Sequence, residues 1–157
     1  MISNRRSIRS AAALSLLCAV TVACATNEPS PPASAAGPAL VGTEWKLVEF
    51  RSSDDSIGAI RPGVDEVYTL RLEPGGNAVM TLFCNRGTGQ WKSPDSTAKM
   101  GSLTIEPGIR TLAACPPSPL ERLGDDFAHV RTFVIADGKL HLNLKMSSGD
   151  YVWEPAK

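Results

Sequence analysis

The sequence is poor in the residues that carry most enzyme chemistry. Two histidines, four cysteines and nine aromatics are spread over 157 residues. No serine stands in G-x-S-x-G, so the nucleophile elbow of α/β hydrolases is missing. Neither C-x-x-C nor H-x₃₋₅-H occurs, and Cys84, Cys115, His129 and His141 therefore lack the usual spacing of a zinc site. Gly87-Thr88-Gly89 has no following lysine and helix to cradle a phosphate, and Asp55-Ser56-Ile57-Gly58 lacks the alternating acids of a calcium loop. Sixteen basic side chains balance sixteen acidic ones, which argues against a broad basic surface for nucleic acid. No catalytic residue, metal or cofactor is assigned on these grounds.

Aromatics are wholly absent from residues 1–39, and that absence divides the chain. The first ten residues carry Arg5, Arg6 and Arg9 and no acid; an uncharged, mostly apolar stretch follows over 11–23. Thirteen helical residues span about 20 Å, short of the ~30 Å hydrocarbon core, so a secretory signal peptide is expected rather than an anchor helix. Thr21-Val22-Ala23-Cys24 resembles the bacterial lipobox, although Thr21 stands where Leu, Val or Ile is usual. After Cys24 come four prolines (Pro29, Pro31, Pro32, Pro38) among Ala and Ser, a composition that cannot build a core and makes a semi-rigid tether. The expected organisation is a signal peptide over 1–23, a tether over 24–39 and a domain over 40–157. Cys24 is expected to be lipidated. Acyl chains at about 0.8 kcal/mol per buried CH₂ would hold the domain at a membrane. Ala25 rather than Asp after that cysteine favours the outer membrane, facing the periplasm. From Cys24 onward the chain has 13 basic and 16 acidic side chains, a net charge of −3.

With Cys18 in the leader and Cys24 as lipid site, Cys84 and Cys115 remain. An exported chain matures in an oxidising compartment, where two leftover cysteines most simply pair. The alternatives are a metal site or a nucleophile, the latter needing a nearby base and a lowered thiol pKa.

The folded part reads as short strands around one helix. Residues 67–73 alternate cleanly, Pro74-Gly75-Gly76-Asn77 turns, and 78–84 returns as a hairpin partner. Over 43–50, Trp45 and Leu47 share one face while Val48 and Phe50 fall on the other, which predicts a bulge or a two-sided strand. A turn is expected at 85–89, a short strand around Trp91, and a strand over 100–105 ended by Pro107-Gly108. Ser118 is placed to cap a helix opened by Pro119, and Leu120, Leu123, Phe127 and Val130 form its apolar stripe. Gly124 weakens that helix by up to ~1 kcal/mol relative to Ala. Asp137-Gly138 joins two final strands, with Leu140, Leu142 and Leu144 inside and Lys139, His141, Asn143 and Lys145 outside, before a last strand at 151–154. The predicted class is α+β and mainly β: an antiparallel sheet curled into a half-closed barrel with one amphipathic helix.

Both histidines fall on polar faces. The adjacent acids Asp54-Asp55, Asp65-Glu66 and Asp125-Asp126 point apart and read as solvated surface or helix-start charge. Trp45, Trp91 and Trp153 are expected in the core, and a half-barrel with one open end could hold an apolar ligand.

In series, Trp45-Lys46-Leu47, Cys84-Asn85-Arg86 with Gly89 and Trp91, Thr111 to Cys115, and Asp137 to Leu142 resemble the META domain, the HslJ-like family. The resemblance covers about residues 40–155. It implies a compact β-rich fold with a single helix, common in bacterial envelope lipoproteins linked with heat shock or antibiotic stress. Through likeness to a secretin pilotin it also implies lipid or peptide binding in a cracked barrel. The family's recurring cysteines map onto Cys84 and Cys115, and no catalytic residue is transferred. The function expected is a non-enzymatic, stress-related envelope lipoprotein domain that binds a protein or an apolar ligand. The alternatives are a periplasmic hydrolase using clustered carboxylates and a purely structural envelope stabiliser.

Overall fold

A computed structural model describes residues 37–157. Cys18, Cys24, the expected leader and all of the expected tether before Gly37 lie outside the described residues.

Ten strands form one antiparallel sheet: β1 (Glu44–Ser52), β2 (Ala59–Ile60), β3 (Tyr68–Leu72), β4 (Asn77–Leu82), β5 (Asn85–Lys92), β6 (Met100–Ser102), β7 (Thr104–Arg110), β8 (Val130–Ala136), β9 (Lys139–Leu144) and β10 (Gly149–Pro155). Their order is β6-β8-β9-β10-β1-β3-β4-β5-β7, with β2 paired to β1. The two ends of that order, β6 and β7, are separated in sequence by Leu103 alone. The segment therefore turns a corner at Leu103, whose N–H bonds Arg131 O at 2.9 Å. Before the corner it pairs with β8, and after it with β5. Beyond the corner β7 and β8 part company. The sheet is nearly closed into a barrel with one unsealed seam, and the helical segment lies against β7 there.

The core is the inward face of this sheet. Trp45, Trp153, Leu70, Leu72, Leu140 and Leu142 are essentially inaccessible, and Trp91 is buried at the rim. Burial at roughly 25 cal/mol per Å² of apolar surface makes these alternating residues the main stabilising term. The bulge expected in β1 falls at Val48: Leu47 pairs with Trp153 while Glu49 pairs with Val152.

Three local expectations fail, for identifiable reasons. The expected turn at 85–89 is strand β5, because Phe83-Cys84 makes the reversal two residues earlier, with Phe83 at φ +59°. The glycines there serve close packing: a Cβ on Gly89 would meet Glu106 O at 2.5 Å and Pro107 Cα at 3.2 Å. Pro107-Gly108 does not end β7, which runs on to Arg110 with a register shift opposite Gly87 and Gly89. The missing proline N–H is tolerated because β7 lies at the end of the strand order. The helix is shorter than its stripe suggests: α1 covers only Leu123–Asp126, followed by a 3₁₀ turn at Phe127–His129. Leu120, Leu123, Phe127 and Val130 are all buried as expected, but Val130 already begins β8. Ser118 does not cap α1; its Oγ instead accepts the Leu120 N–H at 3.1 Å in a local turn.

Candidate functional site

One end of the barrel is built from the β4–β5 turn, the end of β7, the irregular 111–118 segment and the start of the helical segment. Between them lies a cleft of about 260 Å³. Its apolar wall includes Leu82, Phe83, Leu120 and Leu123, with the exposed Leu112 at the mouth. Gly124 supplies the close approach that shapes the floor. A Cβ there would stand 2.8 Å from Arg110 Nη1 and 3.1 Å from Leu82 Cδ1.

The 111–118 segment has no regular secondary structure, and side chains hold it. Asn85 acts as a surrogate strand edge. Its Oδ1 accepts from Thr111 Oγ1 and from Ala113 N–H, both at 2.8 Å, while its Nδ2 donates to Ala113 O at 3.2 Å. Arg86 extends the match through its carbonyl, which accepts the Thr111 N–H at 2.9 Å. Cys115 is joined to Cys84 by a disulfide, with Cα atoms 5.8 Å apart, so segment and turn are covalently strapped together. Phe83 is bulky and adopts a left-handed backbone that costs free energy. Its N–H bonds Val67 O at 2.9 Å, and its ring lines the cleft.

A polar chain closes the inner end. Ser118 Oγ donates to Glu66 Oε2 at 3.1 Å, lies 2.9 Å from the Tyr68 hydroxyl, and accepts the Leu120 N–H. With its proton directed to Glu66, both lone pairs of Ser118 are taken by Tyr68 and Leu120. The hydroxyl is thus committed to structure and poorly placed to attack a substrate. Burial pushes the Tyr68 hydroxyl above its ordinary pKa and keeps it a donor. Arg110 at the cleft edge is paired with Asp125 at 2.9 Å.

Other residues singled out in the sequence lie elsewhere. His141 Nδ1 is 3.0 Å from Asp150 Oδ2 on the outer sheet face, and His129 is half-buried on the far flank of the helical segment. The cysteines and histidines do not converge: among the described residues no group of three His, Cys, Asp or Glu side chains could hold a metal. The acidic pairs are less uniformly solvated than expected. Asp54 and Asp55 are exposed, but Asp126 is buried and accepts the Tyr151 hydroxyl at 2.6 Å. Glu49, which no sequence pattern marks, is buried beneath Arg51 and Arg61, each 2.7 Å from one of its oxygens.

Among family models, that of the META domain matches residues 38–153. No curated protein matches the sequence. The crystal structure of a DUF4847 family protein from Bacteroides vulgatus ATCC 8482 is similar in fold, with a TM-score of 0.53 at 12% identity. The likeness covers 75% of this chain and 95% of that one.

Proposed function

The chain belongs to the META domain family, and from that premise we propose that it is a non-enzymatic domain of the bacterial cell envelope whose cleft holds an apolar ligand or an apolar segment of a partner protein. Lipidation at Cys24 and a role in envelope stress belong to the same proposal. They rest on the lipobox-like 21–24 segment, the proline-rich stretch after it, and the family resemblance.

The carrying observation is the cleft itself. It is walled by leucines and Phe83, and strapped by a disulfide and by Asn85. Burying an apolar group against such walls gives roughly 25 cal/mol per Å², enough for useful affinity without a charged anchor. Binding is favoured over hydrolysis because Glu121 is the one acid lining the cleft among the described residues, and the Ser118 hydroxyl is occupied.

Native mass spectrometry of the full mature chain, extracted in mild detergent, tests the reading. An adduct is expected on the native chain and absent from Leu112→Asp, a change at a side chain exposed enough to leave the fold intact. A bare polypeptide mass in every preparation would refute it.

A further inference from the structure

We propose that the opposite flank of the helical segment carries a second binding site, for an ammonium or guanidinium group borne on an apolar body. A cavity of about 280 Å³ lies there between the helical segment, β1, β2 and β10. Phe50, Ile57, Ile60 and Leu144 line it with apolar surface, and the hydrogen-bonded pair Asp126 and Tyr151 lines it too. This site shares only Leu120 with the cleft described above, and it stands or falls separately.

Asp126 sets the ligand's charge. The residue is only 8% exposed, yet its carboxylate is only half-served. Oδ2 accepts the Tyr151 hydroxyl at 2.6 Å. Oδ1 has no hydrogen bond among the described residues; Arg122 Nη2, at 3.7 Å, stands beyond hydrogen-bonding reach. The Arg122 side chain is itself 80% exposed, so its charge is spent largely on solvent. Oδ1 retains some solvent access, since among the described residues only the Trp153 indole N–H is a fully buried side-chain polar group without a partner; what Oδ1 lacks is a hydrogen bond from the protein. An entering N–H group would supply that bond and displace water from the apolar walls. The Phe50 and Tyr151 rings, with centroids 4.6 Å apart, pack on each other and give the cavity a firm aromatic wall.

The charged groups around the cavity argue against the opposite polarity. An anion could meet Arg122 and His129 at the rim, but going deeper would set it against the Asp126 carboxylate in a poorly solvated space. At about 30 Å³ per water, the volume corresponds to roughly nine waters, or to one compact amine. Burial and the bond to Asp126 push the Tyr151 hydroxyl far above its ordinary pKa, so it remains a donor to Oδ2 and leaves Oδ1 for the ligand.

The test is an NMR titration of the ¹⁵N-labelled full mature chain with three isosteric probes: n-hexylamine, n-hexanol and hexanoate. The amine is expected to saturate first and to shift the amides of Arg122, Asp126, His129 and Tyr151, leaving those of Leu112 and Ala113 unmoved. Arg122→Ala removes the resident competitor at an exposed position and should tighten amine binding several-fold. Asp126→Asn should weaken it about tenfold or more, the usual consequence of losing a charge-assisted bond. Hexanoate binding as well as hexylamine, weaker amine binding in Arg122→Ala, or no saturable shift at these amides would each overturn the proposal. The Arg122 variant keeps the test decisive even if Asp126→Asn fails to fold. Shifts confined to Leu112 and Ala113 would assign the amine to the cleft and refute the second site.

Discussion

Removing the disulfide should cost a large, calculable share of stability. Cys84 and Cys115 are 31 residues apart in sequence. In the chain-entropy model a bridge closing a loop of that length removes about 3.7 kcal/mol of unfolded-state entropy at 25 °C. Part of this returns when the bond is cut, because the native segment also loosens. Asn85 still holds Thr111 and Ala113, and Ser118 is still held by Glu66 and Tyr68. Only residues 114–117 are released, and two of those four are prolines with little freedom to regain. Ordering costs roughly 1 kcal/mol per ordinary residue, so the net loss should be about 2–4 kcal/mol. For a folded part of this size that is a fall in Tm of roughly 10–15 °C. Urea unfolding of the full chain should be compared in three forms: oxidised, reduced with a phosphine, and Cys84→Ser/Cys115→Ser. The reduced and double-variant forms should agree, and the reductant should leave the double variant unchanged. A loss below about 1 kcal/mol, with Cys84 and Cys115 both confirmed as free thiols, would refute the loop-closure reasoning.

Four further outcomes follow from particular contacts. Gly89→Ala should destabilise by more than ~2 kcal/mol, since its Cβ meets backbone atoms of β7 that cannot swing aside; thermal denaturation reads it. Asn85→Asp should cost about 1–2 kcal/mol by replacing the donor to Ala113 O with an acceptor, and should raise hydrogen exchange at Ala113. Hydrogen bonding from Arg51, aided by the charge of Arg61, holds the Glu49 carboxyl below its ordinary pKa against the opposing effect of burial. Its contribution is therefore present above the unfolded value of about 4.3 and lost as pH falls through the folded value; Glu49→Gln should flatten the acid limb of the stability curve. Burial, with the bond to Asp126, holds the Tyr151 hydroxyl protonated to unusually high pH. Above pH ~10 the unfolded chain releases a proton that the folded chain keeps, so stability falls with rising pH, less steeply in Tyr151→Phe.

What could be read in advance depended on whether a residue's role is local. Strands such as β3 and β9 announce themselves because one face is buried and the period is two, and the barrel class follows from several such runs around one apolar stripe. β5 was hidden because Gly87 and Gly89 carry two meanings. Glycine punctuates turns, but here it admits the backbone of β7, a neighbour some 17 residues on that no local window reveals. The helix misled for a related reason. Leu120, Leu123, Phe127 and Val130 satisfy helical spacing, yet a turn, one α-helical turn, a 3₁₀ turn and the first residue of a strand can bury the same four side chains. Periodicity reports which residues face inward and does not fix the backbone that turns them there. The cleft was less legible still, because its walls come from β3, the β4–β5 turn, β7 and the helical segment. Asp126 is the sharpest case. Beside Asp125 it reads as one of two solvated acids, and its neighbour is indeed exposed. Its burial is decided by the hydroxyl of Tyr151, 25 residues away, which provides the hydrogen bond a buried carboxylate requires. If that partner is what permits the burial, Tyr151→Phe should cost about 1–3 kcal/mol, the penalty of leaving a buried carboxylate oxygen without its donor. A loss below about 0.5 kcal/mol in urea unfolding would mean that the hydroxyl is not what the buried carboxylate requires.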